Sequence, residues 1–586
     1  MNQVKRNRYL YIDLSSERYE QREIDIEVGG NYPSGVAFAT YLLKSILPVG
    51  TDPLSPDSVV ALAPGMLGGM PYPGATRMGV AFKSPLTGFW SGGTSGGQFA
   101  WALCQTDWDA VVIQGKASKL SYLLLDEGRV FFRSAEKMEG YSCSGCLEEL
   151  KQTWGEGAEI LCIGPAGESL VRFATLEDGS GEENLRGGLG AVFGAKGLKA
   201  LVVRPFKPVK IEKTEEFLET ALPLINDLAE VDPGRTPKTD PLEILKCLNL
   251  QFALPARNFQ AANFSEEWFN DLSKINRRRK SCPGCPIGCI DIVADDGVAP
   301  GPQTFFPIPF NGQYLWALGP LLDVGAVDES FAALQGCLEY GMDPVSFGIV
   351  AAWAAECREK NIDLGVGEDF EAGFGDGSWL DALPQKICEV PEVQKLLSQG
   401  VWGAAKKIGS GSETFAMHYG GQELSFLDPR RGLLPLSFLG PAVRFAYQDD
   451  DFSSETCSEE NWVLKTIERE NQWGLMESIG ICTSVGMVPE NFSENLALFY
   501  ELSSGNHVSG GFIDGLGKKC MDLIQTFNWR EGWRSQNWSF PKRFFEEALP
   551  APEQSYAALD DEIWRKRMVD YFLERGWTRE GQPEDI

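Results

Sequence analysis

The segment SCPGCPIGCI, residues 281–290, places three cysteines in a short loop rich in glycine and proline. Turns of this composition allow three sulfur atoms to converge on one point. Three thiolates favour an iron–sulfur cluster or a zinc ion, and either centre needs a fourth ligand. The chain has only two histidines, and no second CxxC or Cys/His pair stands at zinc-finger spacing. The pattern therefore favours the cluster over zinc.

The fourth ligand must come from elsewhere in the chain, because a cubane cluster takes four cysteines. Cys482 in MESIGICTSVG is our candidate, since it follows a glycine-bearing turn late in the chain. A cysteine in an apolar stretch is commonly a small buried hydrophobe, so the pattern alone leaves competitors. They are Cys247, Cys337, Cys457 and Cys520. The separate pair Cys143 and Cys146 precedes a predicted helix, and we interpret it as two structural thiols rather than a redox pair.

The composition restricts the class of protein. The 586 residues, 43% of them hydrophobic, are enough for roughly two to four domains. With 82 acidic and 53 basic residues, the formal charge of -29 repels nucleic acid and anionic membranes. We find no secretory signal and no apolar run long enough to insert into a membrane, so we expect a cytoplasmic protein. In that reducing compartment a tight cysteine cluster favours metal ligation.

The hydrophobic patterns predict three parts of the chain. Residues 1–206 are strand-rich, with short runs such as YLYIDL, DAVVIQG and EILCIG between glycine and proline turns. Residues 207–410 change to helical spacing, as in TEEFLETALPLINDLAEV, and contain the three clustered cysteines. Residues 411–586 alternate loops with helices such as ENWVLKTIERENQWGLMESIG and contain Cys482.

Two glycine-rich stretches in the first part are predicted to bind anions. They are SGGTSGGQFA (91–100) and NLRGGLGAVFGAKGLKA (184–200), and neither matches a Walker loop or a nicotinamide fingerprint. Adjacent glycines expose backbone N–H groups, and a following helix N-terminus adds positive potential, which suits phosphate. Arg77 in GATRMG and Arg186 in LRGG would add fixed guanidinium donors.

In this order, the motifs resemble those of the aldehyde ferredoxin oxidoreductase family of tungsten–pterin enzymes. The shared stretches run from YLYIDLSS and KSPLTGFWSGGTSGG through LRGGLGAVFGAKGLKA, CPGCPIGC and WALG to LDPRR, ESIGIC and ERGW. The resemblance spans nearly the whole chain. It implies an α+β fold, in which a β-rich N-terminal domain forms a base beneath two mostly helical domains and the cofactor lies between them.

The resemblance also implies a set of cofactors and their ligands. The family binds tungsten, or sometimes molybdenum, through the dithiolenes of two pterins (a bis-molybdopterin), often with magnesium on the pterin phosphates, and one [4Fe-4S] cluster lies nearby. The implied cluster ligands are Cys282, Cys285, Cys289 and Cys482. The implied pterin-site residues are Arg77, Thr94, Ser95, Gly96, Gly97, Arg186, Gly187, Gly188, Glu339, Asp343, Glu477 and Ile481.

Three of these positions depart from the family pattern. In the acidic motif LEYGMD (338–343) Leu338 replaces the usual aspartate, which leaves Glu339 and Asp343 as the nearby acids. In ESIGIC (477–482) Glu477 replaces the aspartate and keeps the charge. Thr94 stands where an asparagine often helps to bind magnesium. We therefore expect one pterin to be held differently, and the pattern leaves the presence of magnesium open.

The largest departure lies at the reaction centre. The family's catalytic glutamate and histidine align with Gln313 and Gln448, and a neutral amide cannot take a proton. Proton transfer would pass to Tyr314, Tyr447 or an acid such as Asp449. The favoured function remains oxidation of an aldehyde to a carboxylic acid, and the substrate is expected to be a small molecule. The alternatives are other two-electron chemistry, as in benzoyl-CoA reductase catalytic subunits, and a catalytically silent electron-transfer or scaffold subunit.

The family implies ferredoxin, or a ferredoxin-like subunit, as the electron acceptor. An acidic chain attracts an acidic ferredoxin poorly, so a dedicated small iron–sulfur subunit is expected, with local basic patches deciding the contact. An oligomer is compatible with the sequence.

Overall fold

The computed structural model describes residues 8–24, 30–182, 185–230, 240–294, 307–367, 370–431, 462–485, 491–551 and 555–584. Within these residues a β-rich N-terminal region precedes a mostly helical part, which confirms the predicted α+β class. None of the helices in this part of the chain is long and apolar enough to cross a bilayer.

Ten strands form two sheets in the N-terminal region. The strands are β1 (Arg8–Asp13), β2 (Arg18–Glu23), β3 (Val60–Pro64), β4 (Met78–Lys83), β5 (Trp90–Ser95), β6 (Val111–Gln114), β7 (Ser121–Asp126), β8 (Arg129–Ser134), β9 (Glu159–Cys162) and β10 (Leu198–Val203). The six-stranded sheet has the order β2-β1-β6-β3-β4-β5, and the four-stranded sheet has the order β8-β7-β10-β9. Among the described strands of these sheets, only the β1–β6 and β7–β10 pairs are parallel.

Alternate side chains along the strands form the core between these sheets. Leu10 and Ile12 of β1 are fully buried and share an apolar cluster with Ile113 of β6, Leu123 of β7 and Leu201 of β10. Burial of such side chains is the main stabilising term in a core of this kind. The strand runs predicted from the sequence therefore form the base of the molecule.

The helices follow in chain order, and two more hairpins lie among them. The helices are α1 (Gly35–Ile46), α2 (Gly97–Cys104), α3 (Cys143–Trp154), α4 (Pro165–Glu168), α5 (Leu189–Ala195), α6 (Thr214–Glu230), α7 (Pro241–Leu250), α8 (Glu266–Leu272), α9 (Gly312–Leu318), α10 (Val327–Tyr340), α11 (Pro344–Glu359), α12 (Leu383–Glu389), α13 (Pro391–Leu397), α14 (Gly400–Ile408), α15 (Trp462–Ile479), α16 (Phe492–Ser504), α17 (Gly510–Arg530), α18 (Arg543–Glu546) and α19 (Asp561–Glu574). The hairpins pair β11 (Arg277–Lys280) with β12 (Ile290–Val293) and β13 (His418–Tyr419) with β14 (Gln422–Glu423).

Close packing at glycines holds the end of α15 against the base. A Cβ at Gly517 of α17 would lie 1.9 Å from the carbonyl oxygen of Asn471, so α15 and α17 cross almost backbone to backbone. The hydroxyl of Ser34 donates to the carbonyl of Ser478 at 2.6 Å, just before α1 begins. The C-terminal end of α15, which carries the ESIGIC motif, is therefore fixed on the N-terminal region.

Candidate cofactor site

The three clustered cysteines lie in the loop that joins β11 to β12, and Cys482 lies just beyond α15. The negative charge of a Cys482 thiolate acts on Cys282, Cys285 and Cys289, which places the four sulfur atoms near one another. The backbone N–H of Cys482 donates to the carbonyl of Gly74 at 3.1 Å. The fold thus brings the proposed fourth ligand to the other three across nearly 200 residues.

The other candidates for a fourth ligand lie elsewhere. Cys247 is exposed on α7, whereas Cys337 and Cys520 are fully buried within helices α10 and α17. Cys457 lies outside the described residues. Cys143 and Cys146 are buried at the start of α3, where both thiols are hydrogen-bonded with Cys162. These contacts agree with the structural interpretation of that CxxC.

The environment of the four cysteines suits a positively charged core. Burial, followed by the negative charges of Glu182 and Cys482, raises the pKa of Cys282 to about 12. Burial and the neighbouring thiolates also raise the pKa of Cys289 well above its ordinary value. Four partly buried thiolates are therefore unfavourable together until a bound cation compensates their charge.

The backbone around the cysteines contributes hydrogen bonds to sulfur. The N–H of Gly97 donates to Cys282, and the N–H of Gly74 donates to Cys285. In the described part of the chain, no three His, Cys, Asp or Glu side chains lie close enough together to hold a single metal ion. The four cysteines could hold an iron–sulfur cluster, which takes four thiolates.

Arg77 connects the cysteines with the first glycine-rich stretch. Its guanidinium donates to the side-chain and backbone oxygens of Thr94 at 2.7 and 2.9 Å and to Glu182 at 2.5 Å. It also lies 3.5 Å from the sulfur of Cys482. Burial acts to lower the pKa of Arg77, but Glu182 and the neighbouring anions hold it well above its ordinary value. The group therefore stays cationic in a buried position.

The hydroxyl of Thr94 extends this network to the ESIGIC motif. It donates to a carboxylate oxygen of Glu477 at 2.9 Å, and all three side chains from Arg77 to Glu477 are buried. Thr94 and Ser95 are the last two residues of β5. Gly96 caps the N-terminus of α2, and Gly97 is the first residue of that helix. The predicted stretch Thr94 to Gly97 thus lies at one edge of the six-stranded sheet, next to the cysteines.

Arg186 forms a second buried network on the other predicted stretch. Its guanidinium donates to Asp343 at 2.8 Å, to the hydroxyl of Ser346 at 3.2 Å and to the backbone carbonyl of Glu423 at 3.0 Å. The Ser346 hydroxyl also lies 2.5 Å from Asp343 and 2.8 Å from the carboxylate of Glu423. Burial raises the pKa of Glu423, although the N–H of Val401 donates to it.

The two networks meet along β5. The hydroxyl of Ser91 donates to the carbonyl of Arg186 at 3.3 Å, and the hydroxyl of Ser84 donates to the carbonyl of Gly187 at 2.8 Å. The side chain of Leu185 packs within 3.2 Å of the position that a Cβ would take at Gly93. Both arginines, with Gly187 and Gly188, therefore border the same edge of the sheet and could hold the phosphates of a two-pterin cofactor.

The glycine turn before α2 accommodates carboxylate oxygens. A Cβ at Gly96 would lie 2.3 Å from Glu182, and one at Gly97 would lie 2.9 Å from Asp178. Together with Ser95, both acids line a small cleft beside the turn. Glycine at these two positions thus leaves room for the two acidic side chains.

The remaining predicted cofactor residues lie at two helix ends. Glu339, near the end of α10, accepts a hydrogen bond from the hydroxyl of Ser144 at 2.5 Å, on the first turn of α3. Asp343 accepts from the N–H groups of Val345 and Ser346 and so caps α11. Ile481 is buried directly before Cys482. Of the two acids in LEYGMD, Asp343 thus contacts Arg186, and Glu339 contacts α3.

The predicted catalytic residues are described only in part. Gln313 and Tyr314 are buried in the first turn of α9, where both N–H groups donate to the side chain of Asn311. Tyr447 and Gln448 lie outside the described residues, as does Asp449.

Three site residues were missed from the sequence: Glu182, Ser346 and Glu423. Glu182 lies two residues before the second stretch, and Ser346 lies only three residues after Asp343, so a closer reading of those turns could have found them. Glu423 lies on a separate hairpin, and no sequence signal connects it with Arg186.

The comparisons with known proteins point to one family. Residues 9–205 match the family model of the aldehyde ferredoxin oxidoreductase N-terminal domain, and residues 225–585 match the model of its domains 2 and 3. A tungsten-containing aldehyde ferredoxin oxidoreductase from Pyrococcus horikoshii is 29% identical over 98% of this chain and 97% of its own length.

Two more distant matches also cover nearly the whole chain. The WOR-like subunit of an aliphatic sulfonate oxidoreductase from Pyrococcus furiosus is 24% identical over 98% of this chain and 95% of its own. Among solved structures, the active-site complex BamBC of benzoyl coenzyme A reductase with 1,5-dienoyl-CoA has a TM-score of 0.82 at 21% identity. That match covers 100% of this chain and 96% of the other, and it agrees with the fold described above.

Proposed function

This chain belongs to the aldehyde ferredoxin oxidoreductase family, and we propose on that premise that it is a tungsten–pterin and [4Fe-4S] dependent enzyme that oxidises an aldehyde to a carboxylic acid. The electrons leave through the cluster to ferredoxin or a small ferredoxin-like subunit. The near full-length match to a tungsten-containing aldehyde ferredoxin oxidoreductase supports this assignment.

The position of Arg77 carries the proposal. One side of its guanidinium lies 3.5 Å from the sulfur of Cys482, and the other side donates to Thr94. A cofactor held at Thr94 would therefore lie next to a cluster held by the four cysteines. When bound, the tungsten–pterin group supplies the two-electron redox chemistry, and the cluster accepts the electrons.

The protein's own residues hold and orient the group. Arg77 and Arg186 present fixed cations beside β5, which suits two anionic pterin phosphates. Glu182, Asp343 and the Ser346 hydroxyl hold the guanidinium groups in place before anything binds. Such preorganisation lowers the cost of binding.

Proton transfer is the step for which this chain departs from its family. Gln313 donates and accepts hydrogen bonds through its amide, but it does not take a proton. General acid–base catalysis contributes about two to four orders of magnitude in rate. We propose that Tyr314, buried beside Gln313, or the residues Tyr447 and Asp449 move the proton instead.

Two measurements test the proposal. Anaerobically purified protein should contain about four irons and one tungsten or molybdenum per chain, as a four-cysteine cluster and the family cofactor require. It should also reduce a viologen dye when an aldehyde is added. Iron without a heavy metal, and no turnover, would instead mean an electron-transfer or scaffold subunit.

The glutamines at the reaction centre favour a second candidate, another two-electron reaction at the same cofactor. The relatives that match nearly the whole chain include the WOR-like subunit of an aliphatic sulfonate oxidoreductase, so the scaffold serves more than one substrate class. The solved complex with 1,5-dienoyl-CoA comes from benzoyl coenzyme A reductase, which catalyses a further reaction. Activity only with an acyl-CoA and a strong reductant, and none with aldehydes, would support this candidate.

Restoring the family's acid and base provides a sharper test of the reaction centre. The double variant Gln313→Glu/Gln448→His should raise the rate of aldehyde oxidation by up to about two to four orders of magnitude. Gln313→Asn is the matched control, because it keeps an amide and should not raise the rate. An unchanged rate in the double variant, at full metal content, would mean that the reaction centre has been misplaced.

A further inference from the structure

The strand β11 carries the longest run of basic residues in an otherwise acidic chain. Residues 277–280 read RRRK, whereas the formal charge of the whole protein is -29. The run ends two residues before Cys282, the first of the three cysteines in the β11–β12 loop. A concentrated positive charge therefore adjoins the proposed cluster site.

The three arginines of the run have different environments. Arg277 is partly buried, pairs with Asp240 and Asp291 at 3.1 Å, and stacks on Phe310, so it helps to hold the hairpin in the fold. Arg278 and Arg279 are exposed. The Arg279 guanidinium lies 3.9 Å from Asp291, a long ion pair that leaves the arginine side chain at the surface.

The cysteine loop itself reaches the surface beside these arginines. Ser281 and Gly284 are exposed, and a Cβ at Gly284 would meet no heavy atom within 4 Å. The three cysteines of the loop are partly exposed as well. A redox partner that touches this loop would come close to a cluster bound by these cysteines.

We propose that the β11–β12 hairpin, through Arg278, Arg279 and the loop 281–289, is the docking surface for a small acidic iron–sulfur electron carrier. The inference rests on the proposed function only in requiring that electrons leave through a cluster on the four cysteines. In each encounter one electron leaves this chain and reduces the oxidised carrier by one electron. Two encounters remove the pair released by a two-electron oxidation, and the protons go to solvent.

Charge explains why such a surface is needed. A net charge of -29 repels an acidic carrier over most of the protein surface. A local basic hairpin reverses the field at one place, which steers the carrier to the cluster and fixes its orientation. The exposed arginines also supply bidentate donors for carboxylates of the carrier.

The test measures binding of an acidic ferredoxin with two [4Fe-4S] clusters to the anaerobic holoenzyme by biolayer interferometry. In the variant Arg278→Glu/Arg279→Glu the dissociation constant should rise at least about tenfold, and wild-type binding should weaken with added salt. The matched control is Arg565→Glu/Lys566→Glu, which reverses two exposed cations on α19 and should leave binding nearly unchanged. Viologen reduction, which bypasses the carrier, should be the same in all three proteins.

Several outcomes would overturn the docking surface. These are equal affinity in wild type and the hairpin variant, equal weakening in the α19 control, and no binding of the ferredoxin by wild type. If the hairpin variant loses iron, Arg278→Gln/Arg279→Gln replaces it, and this milder variant should still weaken binding severalfold.

The two proposals fail separately. Binding that maps to the hairpin without aldehyde oxidation would mean that the substrate is wrong and the surface is right. Aldehyde-dependent dye reduction with unchanged binding in the hairpin variant would mean that the reaction is right and the surface is wrong.

Discussion

The ends of helices α10 and α15 have the same backbone shape but different chemistry. Each helix stops at a glycine with φ near +71°, Gly341 in LEYGMD and Gly480 in ESIGIC. The residue after each glycine donates its N–H to the carbonyl five residues earlier, as in a Schellman motif. The sixth residue of each motif then donates to a carbonyl of the N-terminal region, Asp343 to Phe173 and Cys482 to Gly74.

The two ends differ in where the functional side chain stands. In LEYGMD the last residue, Asp343, pairs with Arg186, and the first residue is the buried Leu338. In ESIGIC the first residue, Glu477, accepts from Thr94, and the last is the cysteine next to Arg77. The shared backbone thus places two side chains at each end, and the residue type at each position decides which one contacts the arginine network.

The largest expected effect is at the last position of ESIGIC. Cys482→Ser should remove most of about four irons per chain, because a cubane cluster needs its fourth thiolate. Cys520→Ser is the matched control, since Cys520 is fully buried in α17 and hydrogen-bonded with Ser478 of α15. Iron analysis of both purified variants checks this. Equal iron in the two would contradict the ligand assignment.

The next effect separates the acids of the two ends. Asp343→Asn keeps the helix cap but leaves Arg186 without its buried ion-pair partner, which should cost about 3 kcal/mol of unfolding free energy. Glu477→Gln keeps an acceptor for Thr94 and should cost only about 1 kcal/mol. Urea unfolding of the two variants beside wild type measures both losses. Equal losses would mean that the two ends are bonded alike.

The glycines test whether the shared backbone is equally constrained at both ends. Alanine at either position should cost about 1–2 kcal/mol of unfolding free energy, because it must adopt the left-handed conformation. A Cβ at Gly480 would also lie 2.4 Å from the Cα of Gly65, whereas one at Gly341 would lie 2.9 Å from the nitrogen of Gly164. Gly480→Ala should therefore lower the unfolding midpoint more than Gly341→Ala. The reverse order would show that α10 is the more tightly docked end.

The smallest effect is expected at Glu339, the acid of LEYGMD that turns away from Arg186. Glu339→Gln retains an acceptor for Ser144 on a half-buried surface, so it should cost less than about 1 kcal/mol. Its tungsten and iron content should equal that of wild type, whereas Asp343→Asn should retain less tungsten. Metal analysis of the two variants checks this. Loss of tungsten in Glu339→Gln would return that residue to the pterin site.

The elements that could be predicted were those with a local signal in the sequence. The strands YLYIDL and DAVVIQG form β1 and β6, and the helical spacing of ENWVLKTIERENQWGLMESIG forms α15, because period and turn residues act over a few positions. The candidates Arg77, Arg186 and Cys482 were found from glycine-rich or cysteine-bearing turns. Each lies where two distant segments meet.

Other parts of the site carried no local signal. Glu423 lies on the β13–β14 hairpin, 237 residues from Arg186, and reaches it through the packing of α11 and α14. Glu339 and Asp343 were equivalent candidates in the sequence, but one lies on the helix and the other after the glycine. The positive φ of Gly341 turns the chain after α10 and so decides which acid faces Arg186. The turn has this effect only when the end of α10 packs against the N-terminal region.

The sequence by itself determined the family, the α+β class, the clustered cysteines and the basic run beside them, because all of these are carried by residue type and spacing. The tertiary structure decided the partners: Cys482 beside the β11–β12 loop, Thr94 between Arg77 and Glu477, and Ser346 between Asp343 and Glu423. The physical reason is that a buried polar group must find a hydrogen-bond partner within about 3 Å, and packing alone brings distant segments that close.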